Sequence, residues 1–355
     1  MTGLHALNRE FEKYDQVVKS HTYRLAEGEG DEFDDDYRIA TLDLGRYLHG
    51  DAAEQARFAD EFAAALGEIG FAVLTGHGVD TALYDDAHEG VLELFTSTPL
   101  AEKMRFRAAR HDSVSQGYFP IEETSEIHPD LVEGWVWCRR AFDIPQHPDR
   151  AFRAEDYWPR AEYERRFRPL VLAHEQLIKP ITRAIFQGLG VDPNLYDGKL
   201  TQTNFGLRFK YYPPMTPEQD QSGAGRLFGH EDVDLFTILP ASKVDGLQVW
   251  NHRSGKWVRM RAPYGSIIIN TGDYMQRITN DLLPSTTHRV GKPTDGSQRA
   301  AARVSFPMAV YVWESELLEV LPGLGEPKYP PIEAITFHTR STSKFYGDDY
   351  AVETA

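Results

Sequence analysis

Thiol chemistry is all but missing from this chain of 355 residues, which has one cysteine, Cys138. A single thiol supports neither a disulfide framework nor a thiolate metal cluster, so any metal must be held by histidine and carboxylate. Positive charge is in deficit too. With 38 Lys and Arg against 54 Asp and Glu, the formal net charge is −16, a field that repels a phosphate backbone. Nucleic acid is therefore not expected as a partner, and a deliberate cation is expected only where a small anion binds. No stretch approaches the ~18 uninterrupted apolar residues of a membrane span, and the first residues, MTGLHALNREFEKYDQ, lack a signal-peptide core. No membrane association is expected, and the cytoplasm is the default location. Hydrophobic residues at 41% and charged residues at 26% are the proportions of an ordinary globular protein. The length allows one large domain or two modest ones.

Residues 1–36 are polar and end in the acid run EGEGDEFDDD, an N-terminal extension or loosely held arm. From Tyr37, YRIATLDLGRYL looks like a short strand. DAAEQARFADEFAAALGEIG then places Phe58, Phe62, Leu66 and Ile69 at helical spacing, with Asp51 and Glu54 as a capping box and Gly70 as the stop. FAVLTGHGV follows as a buried strand leading into a turn. A second helix is expected from Tyr163 to Leu189, with Phe167, Leu170, Leu177 and Ile181 on one face and Pro169 and Pro180 starting or kinking it. His174 lies on that stripe and is expected as a satisfied core residue rather than a ligand. From about Thr201 the texture changes to short β-like runs: FGLRFKYY, LFTILP, GLQVW, KWVRM, GSIIINTG, STTHRV and RVSFPMAVYVW. Such spacing suggests a sandwich or barrel, prepared by a helical first half. There is no internal repeat.

Histidine two residues before aspartate occurs four times, at His49, His128, His147 and His230. Asp51 of the first pair is explained as a helix cap, and the two copies with an intervening proline sit in polar, turn-like surroundings. Only the last leads into an apolar run, in LFGHEDVDLFTILP, where buried charge is costly unless it is paired or metal-bound. In an extended strand residues i and i+2 share a face, so His230 and Asp232 project together and Glu231 faces away. Asp234, on the same face as Asp232, is left without an assigned partner. His288 in STTHRV is the candidate third ligand. Two histidines and one carboxylate form the facial set of non-haem Fe(II) oxygenases, which leaves three positions open. In ARVSFP, Arg303 and Ser305 share a strand face and could grip a carboxylate, and Tyr212 in KYYPP could complete the grip. Singly, each has a plainer reading: His288 as a strand-end histidine, Arg303 and Ser305 as a solvated edge, Tyr212 as packing. Their company points to a metal beside an anion site.

The ordered string YYPP…GHED…LFTILP…GLQVW…GKWVRM…GSIIINTGDYMQ…STTHRV…RVSFP resembles the 2-oxoglutarate and Fe(II)-dependent oxygenases of the isopenicillin N synthase-like family. FADEFAAALGEIGFAVLTGHGV is similar to the N-terminal region of that family, and the resemblance runs from about Tyr37 to Tyr311. It implies a mainly β fold with α, a distorted double-stranded β-helix or jelly roll with N-terminal helices packed against it. It divides the chain into an extension (1–36), a helical and strand region (37–200), the jelly-roll core (201–312) and a C-terminal segment (313–355). It implies that His230, Asp232 and His288 hold Fe(II), and that Arg303 and Ser305, assisted by Tyr212, bind the far carboxylate of 2-oxoglutarate. O2 is then the co-reactant, and ascorbate is expected to help in vitro. The implied reaction is hydroxylation, desaturation or cyclisation of a small-molecule substrate, with release of succinate and CO2. Asp232 argues against halogenation, because halogenating relatives lack that carboxylate.

Some features depart from the family pattern. Lys210 stands where many relatives have Asn, Glu231 where Thr is commoner, and the loop GKPTDGSQRAAA before Arg303 is longer than expected. Substrate contacts are expected from Tyr118 in SQGYFPIEE, from Trp137 and Arg139 in VEGWVWCRR, and from Phe236. The terminal SKFYGDDYAVETA is a lid or a tail. Two rival readings remain open: an enzyme of the same fold that dispenses with 2-oxoglutarate, as isopenicillin N synthase does, and a non-catalytic barrel that binds a metal or ligand. Substrate identity and oligomeric state are not legible in one sequence.

Overall fold

The computed structural model describes residues 31–111, 114–121, 131–146, 151–216, 226–293 and 295–346. Most of the expected extension, the end of the C-terminal segment and the His128 and His147 triplets lie outside the described residues. Helix α1 (Ala52–Ile69) starts where Asp51 accepts from the amides of Ala53 and Glu54, at 3.0 and 2.9 Å. It stops at Gly70, whose φ of 73° is left-handed and where a Cβ would lie 2.5 Å from the Pro284 carbonyl. Glycine is required there on both counts. Phe58, Phe62 and Leu66 bury one face of α1 against α3 (Ala161–Gly188). Pro169 and Pro180 lie inside α3 rather than at its start. Between them in sequence comes α2 (Thr81–Ser97), which the sequence reading did not single out. Asp80 caps it, and Tyr84, Val91, Leu94 and Phe95 bury its apolar face.

The strands are β1 (Thr41–Asp43), β2 (Phe71–Thr75), β3 (Ala109–His111), β4 (Val114–Phe119), β5 (Glu133–Cys138) and β6 (Asn204–Tyr212), then β7 (Leu227–His230), β8 (Phe236–Pro240), β9 (Leu247–Asn251), β10 (Lys256–Arg259), β11 (Ile267–Thr271), β12 (His288–Val290), β13 (Arg303–Ser305) and β14 (Met308–Tyr311). The large sheet runs β1-β2-β11-β8-β14-β6-β5-β4-β3, with β13 also paired to β6, and the small sheet runs β10-β9-β12-β7. Phe71, Val73 and Ile268 of the large sheet pack on Leu247, Val249 and Val258 of the small one, which makes the two sheets the walls of a distorted double-stranded β-helix. The helices cover the large sheet through a second, larger core that includes Phe167, Ile178 and Phe209.

Two expectations change. LFGHEDVDLFTILP is not one half-buried strand: β7 belongs to the small sheet and β8 to the large one, and Asp232 lies on the connection between them. The end of the acid run is also seated rather than loose. Asp31 pairs with Arg289 at 2.7 Å, Glu32 with Lys256 at 3.2 Å and Asp35 with Arg259 at 2.6 Å, while the Arg259 guanidinium lies 3.6 Å above the Phe33 ring. No helix among the described residues is long and apolar enough to cross a membrane.

His174 is in the core as expected, but neither ring nitrogen meets a hydrogen-bond partner. Burial, aided by the nearby His77, lowers its pKa to about 3. His338 on the C-terminal helix is likewise pushed down to about 3, by burial and by the Arg208 charge. Both are neutral in the fold, whereas the unfolded chain takes up their protons near pH ~6.5. Stability present above that pH is therefore lost progressively as pH falls towards 3. At pH 4.5 the loss is about 2–3 kcal/mol per histidine, two pH units at ~1.4 kcal/mol each. His174→Leu is expected to flatten this acid limb by about that amount in urea titrations at pH 7 and 4.5, and an unchanged limb would show that His174 does not set it.

Candidate active site

The last residue of β7 and the first of β12 face each other in register: His230 lies opposite His288, with ring centroids 4.3 Å apart. Nε2 of His230 is 4.0 Å from one oxygen of Asp232, and Nε2 of His288 is 3.9 Å from the other. The three candidate ligand atoms all lie within 4.8 Å of one another. Nδ1 of His230 is 2.9 Å from the Phe228 carbonyl, and Nδ1 of His288 is 3.1 Å from the Thr286 carbonyl. A carbonyl can only accept, so Nδ1 bears the hydrogen in each ring and Nε2 turns a lone pair towards the shared point. Burial, with His288 and Lys210 nearby, lowers His230 well below the ordinary histidine range, which keeps it neutral. Burial pushes Asp232 up, but His288, His230, the Arg208 charge and the Asn270 hydrogen bond outweigh it and hold the carboxyl below the usual range.

Asp232 is tethered by Asn270 Nδ2 and Thr237 Oγ1, each 2.8 Å from Oδ2. Thr237 Oγ1 is also 2.8 Å from Oδ2 of Asp234, which answers what that buried acid meets. One hydroxyl has one hydrogen, so both contacts are satisfied together only when one of the two carboxyls is protonated. Asp234, pushed well up by burial and then by the Asp232 charge, is that one. The backbone closes tightly here: a Cβ on Gly272 would lie 2.2 Å from Asp234 Oδ1 and 2.7 Å from the Asp232 carbonyl. Glu231 does not line the site, although not through the strand alternation expected of it, and accepts from Thr287 Oγ1 at 2.9 Å.

The expected anion site adjoins the triad. Arg208, Lys210 and Tyr212 alternate on β6, and β13 sets Arg303 opposite Tyr212 and Ser305 opposite Lys210. The Arg303 guanidinium lies 4.9 Å from the Tyr212 ring centroid, and its Nε donates to the Val244 carbonyl at 3.2 Å. Its Nη1 is buried without an acceptor. Arg208, Lys210, Tyr212, Arg303, Ser305 and the triad line one cleft, walled by Phe71, Leu239, Leu247 and Val290. Two histidine rings that turn Nε2 towards one carboxylate, beside an unsatisfied guanidinium, fit a divalent metal next to a carboxylate ligand.

The four residues expected at the substrate are not brought to this cleft. Tyr118 is buried and donates to Glu133 at 2.6 Å, and Trp137 stacks between Trp135 and Trp158 at 5.1 and 4.1 Å. Arg139 is paired with Glu175 and donates to the Pro145 carbonyl. Phe236, on β8 opposite Val310 of β14, is fully buried. Strands β4 and β5 extend the large sheet beyond β6, on the side away from β8 and β11, and their aromatics pack with Trp158 and Phe209 instead. Conversely, Asn270 and Thr237 were overlooked, although each is a polar residue inside an apolar β-like run, the same signal that drew attention to Asp232.

Residues 203–308 match the model of the 2OG-Fe(II) oxygenase superfamily, and residues 39–161 match the model of the non-haem dioxygenase in morphine synthesis N-terminal region. The chain belongs to the 2OG-Fe(II) oxygenase superfamily. This oxygenase is 28% identical over 324 residues to the 2-oxoglutarate-Fe(II) type oxidoreductase ppzD of Metarhizium majus, covering 84% of this chain and 92% of that one. It is 26% identical to the oxidoreductase hxnY of Emericella nidulans, covering 82% and 85%. Among solved structures it is similar to a 2OG-Fe(II) oxygenase family protein from Caulobacter crescentus, with TM-score 0.70, 28% identity and coverage of 84% and 96%. It shares its fold with the dioxygenase for auxin oxidation in rice, at TM-score 0.68, 22% identity and coverage of 88% and 99%. It is thus an oxidoreductase that uses Fe(II), 2-oxoglutarate and O2. Asn270→Ala, which removes one tether of Asp232, is expected to weaken Mn(II) binding about tenfold or more, read by calorimetry. Unchanged affinity would mean that Thr237 alone fixes the carboxylate.

Proposed function

We propose that this oxygenase holds Fe(II) through Nε2 of His230, a carboxylate oxygen of Asp232 and Nε2 of His288, and oxidises a C–H bond of a small organic substrate. In this reading the far carboxylate of 2-oxoglutarate rests on Arg303, Ser305 and Tyr212. The observation that carries it is the pair of Nδ1–carbonyl contacts, which leaves both Nε2 lone pairs facing one carboxylate. His230, Asp232 and His288 would supply only three ligands, so a metal held by them would keep room for ligands from outside the protein. Bound there, Fe(II) supplies the electron transfer through which O2 reacts with 2-oxoglutarate and with the substrate.

Every other part belongs to the protein. Arg303 and Ser305 orient the cosubstrate by its far end, so that its 2-oxo acid head meets the triad. Asn270 and Thr237 hold Asp232 in the orientation that a ligand needs. Phe71, Leu239, Leu247 and Val290 keep the cleft wall apolar, which limits water near the oxidant. The net change is balanced: one oxygen atom of O2 enters the substrate as hydroxyl, the other enters succinate, and CO2 leaves. Residues 201–312 form the catalytic core, residues 37–200 support it, and the cytoplasm is the proposed location.

Asp232→Ala is expected to stay folded and to lose turnover to below about 1% of wild type, measured as the rates of succinate formation and O2 consumption. Arg303→Gln is expected to raise the KM for 2-oxoglutarate about tenfold or more with a smaller change in kcat. Full turnover by the Asp232 variant, or O2 uptake that yields product without 2-oxoglutarate and without succinate, would overturn the assignment.

A further inference from the structure

Arg226 belongs to neither group above, yet it is one of the most deeply buried residues of the chain, with 0% of its surface exposed. It immediately precedes β7, four positions before His230. Its Nη2 donates to the carbonyls of Arg299 and Ala301, at 3.4 and 3.2 Å. These carbonyls belong to the backbone that leads into β13 and hence to Arg303. Its Nε and Nη1 meet no acceptor, and among the described residues no carboxylate pairs with it.

Arg303, itself 2% exposed, also has an unsatisfied nitrogen. Burial and then the Arg303 charge lower the pKa of Arg226 to about 10, with Tyr212 acting in the opposite direction. The molecule therefore keeps two buried guanidinium groups, each under-satisfied and each within reach of the other's charge, beside the paired Arg303 and Tyr212. Two like charges out of water are costly without a counter-ion. Such an arrangement is understandable where an anion is the normal occupant.

We propose that Arg226 is a second positive determinant of 2-oxoglutarate binding, acting from behind Arg303 and Tyr212 rather than by touching the cosubstrate. The proposal rests on the reading that Arg303 grips the far carboxylate. Arg226 is not among the residues that line the cleft, so it is a positioning residue with two means of action. It clamps the two carbonyls that fix the start of β13, and its field adds to that of Arg303 in a region where water screens little. At an effective dielectric of ~20, a unit charge several ångströms away is worth about tenfold or more in affinity. Because the effect is exerted on the far end, it depends on the ligand having a second carboxylate.

The test compares two ligands on Mn(II)-loaded protein without O2, by calorimetry: 2-oxoglutarate, and 2-oxobutanoate, which has the same 2-oxo acid head but no far carboxylate. Arg226→Met is expected to weaken 2-oxoglutarate about tenfold or more and 2-oxobutanoate less than about threefold, while Arg226→Lys, which keeps the charge, stays nearer wild type. Equal losses for both ligands, or a Lys variant as weak as the Met variant, would mean a merely structural role and overturn the proposal. Arg303→Met serves as the control. If it leaves 2-oxoglutarate binding intact, the underlying reading of the far-carboxylate site fails; if it weakens binding while Arg226→Met does not, only the present proposal fails. Should Arg226→Met not fold, Arg226→Gln, which keeps a donor for the two carbonyls, is put through the same comparison with the same criteria.

Discussion

Two backbone carbonyls decide what this site can be. The Phe228 and Thr286 carbonyls take the Nδ1 hydrogens of His230 and His288, so neither ring is free to turn its lone pair elsewhere. Each carbonyl lies two residues before its histidine, and the antiparallel register that sets His288 opposite His230 brings the two rings together. Asp232 is then the only element that must be placed by side chains, which Asn270 and Thr237 do. Asp234, whose carboxyl burial pushes well up, lies on the other side of Thr237 and shares its hydroxyl with Asp232. A candidate metal site assembled this way is organised by the fold itself.

The charge distribution follows from the same need. In a chain of net charge −16, Arg208, Lys210 and Arg303 line one cleft and Arg226 is buried close enough to Arg303 to feel its charge, while Lys103, Arg139, Arg277 and Arg289 are buried elsewhere. Acid residues on the outside serve a different purpose: Asp31, Glu32 and Asp35 fasten the start of the described chain to Arg289, Lys256 and Arg259 of the small sheet.

Much of this was legible in the sequence because the relevant patterns are local. Asp51, Gly70 and the Phe58–Phe62–Leu66 stripe define α1 by capping and periodicity alone. The face-sharing of Arg303 and Ser305 needs only the period of a strand, and their pairing with Tyr212 follows once β6 and β13 are neighbours. The misses are non-local. That LFGHEDVDLFTILP changes sheets at Asp232 is a property of topology, not of hydrophobic pattern. Trp137 and Arg139 look like binding residues in sequence, but a stack of three tryptophans and the Glu175 ion pair claim them for the core. His174 illustrates the opposite case: its burial was predictable from the helical stripe, its lack of any hydrogen-bond partner was not.

A crystal structure of the protein grown without O2, with Fe(II) and 2-oxoglutarate present, tests the central claim most directly. The predicted result is one metal bound by Nε2 of His230, an oxygen of Asp232 and Nε2 of His288, each at about 2.0–2.2 Å by analogy with other divalent sites. The 2-oxo acid head should chelate that metal, and the far carboxylate should lie on Arg303 and Ser305. A metal bound through Nδ1, a metal elsewhere, or a cosubstrate whose far end avoids Arg303 would contradict the site described here.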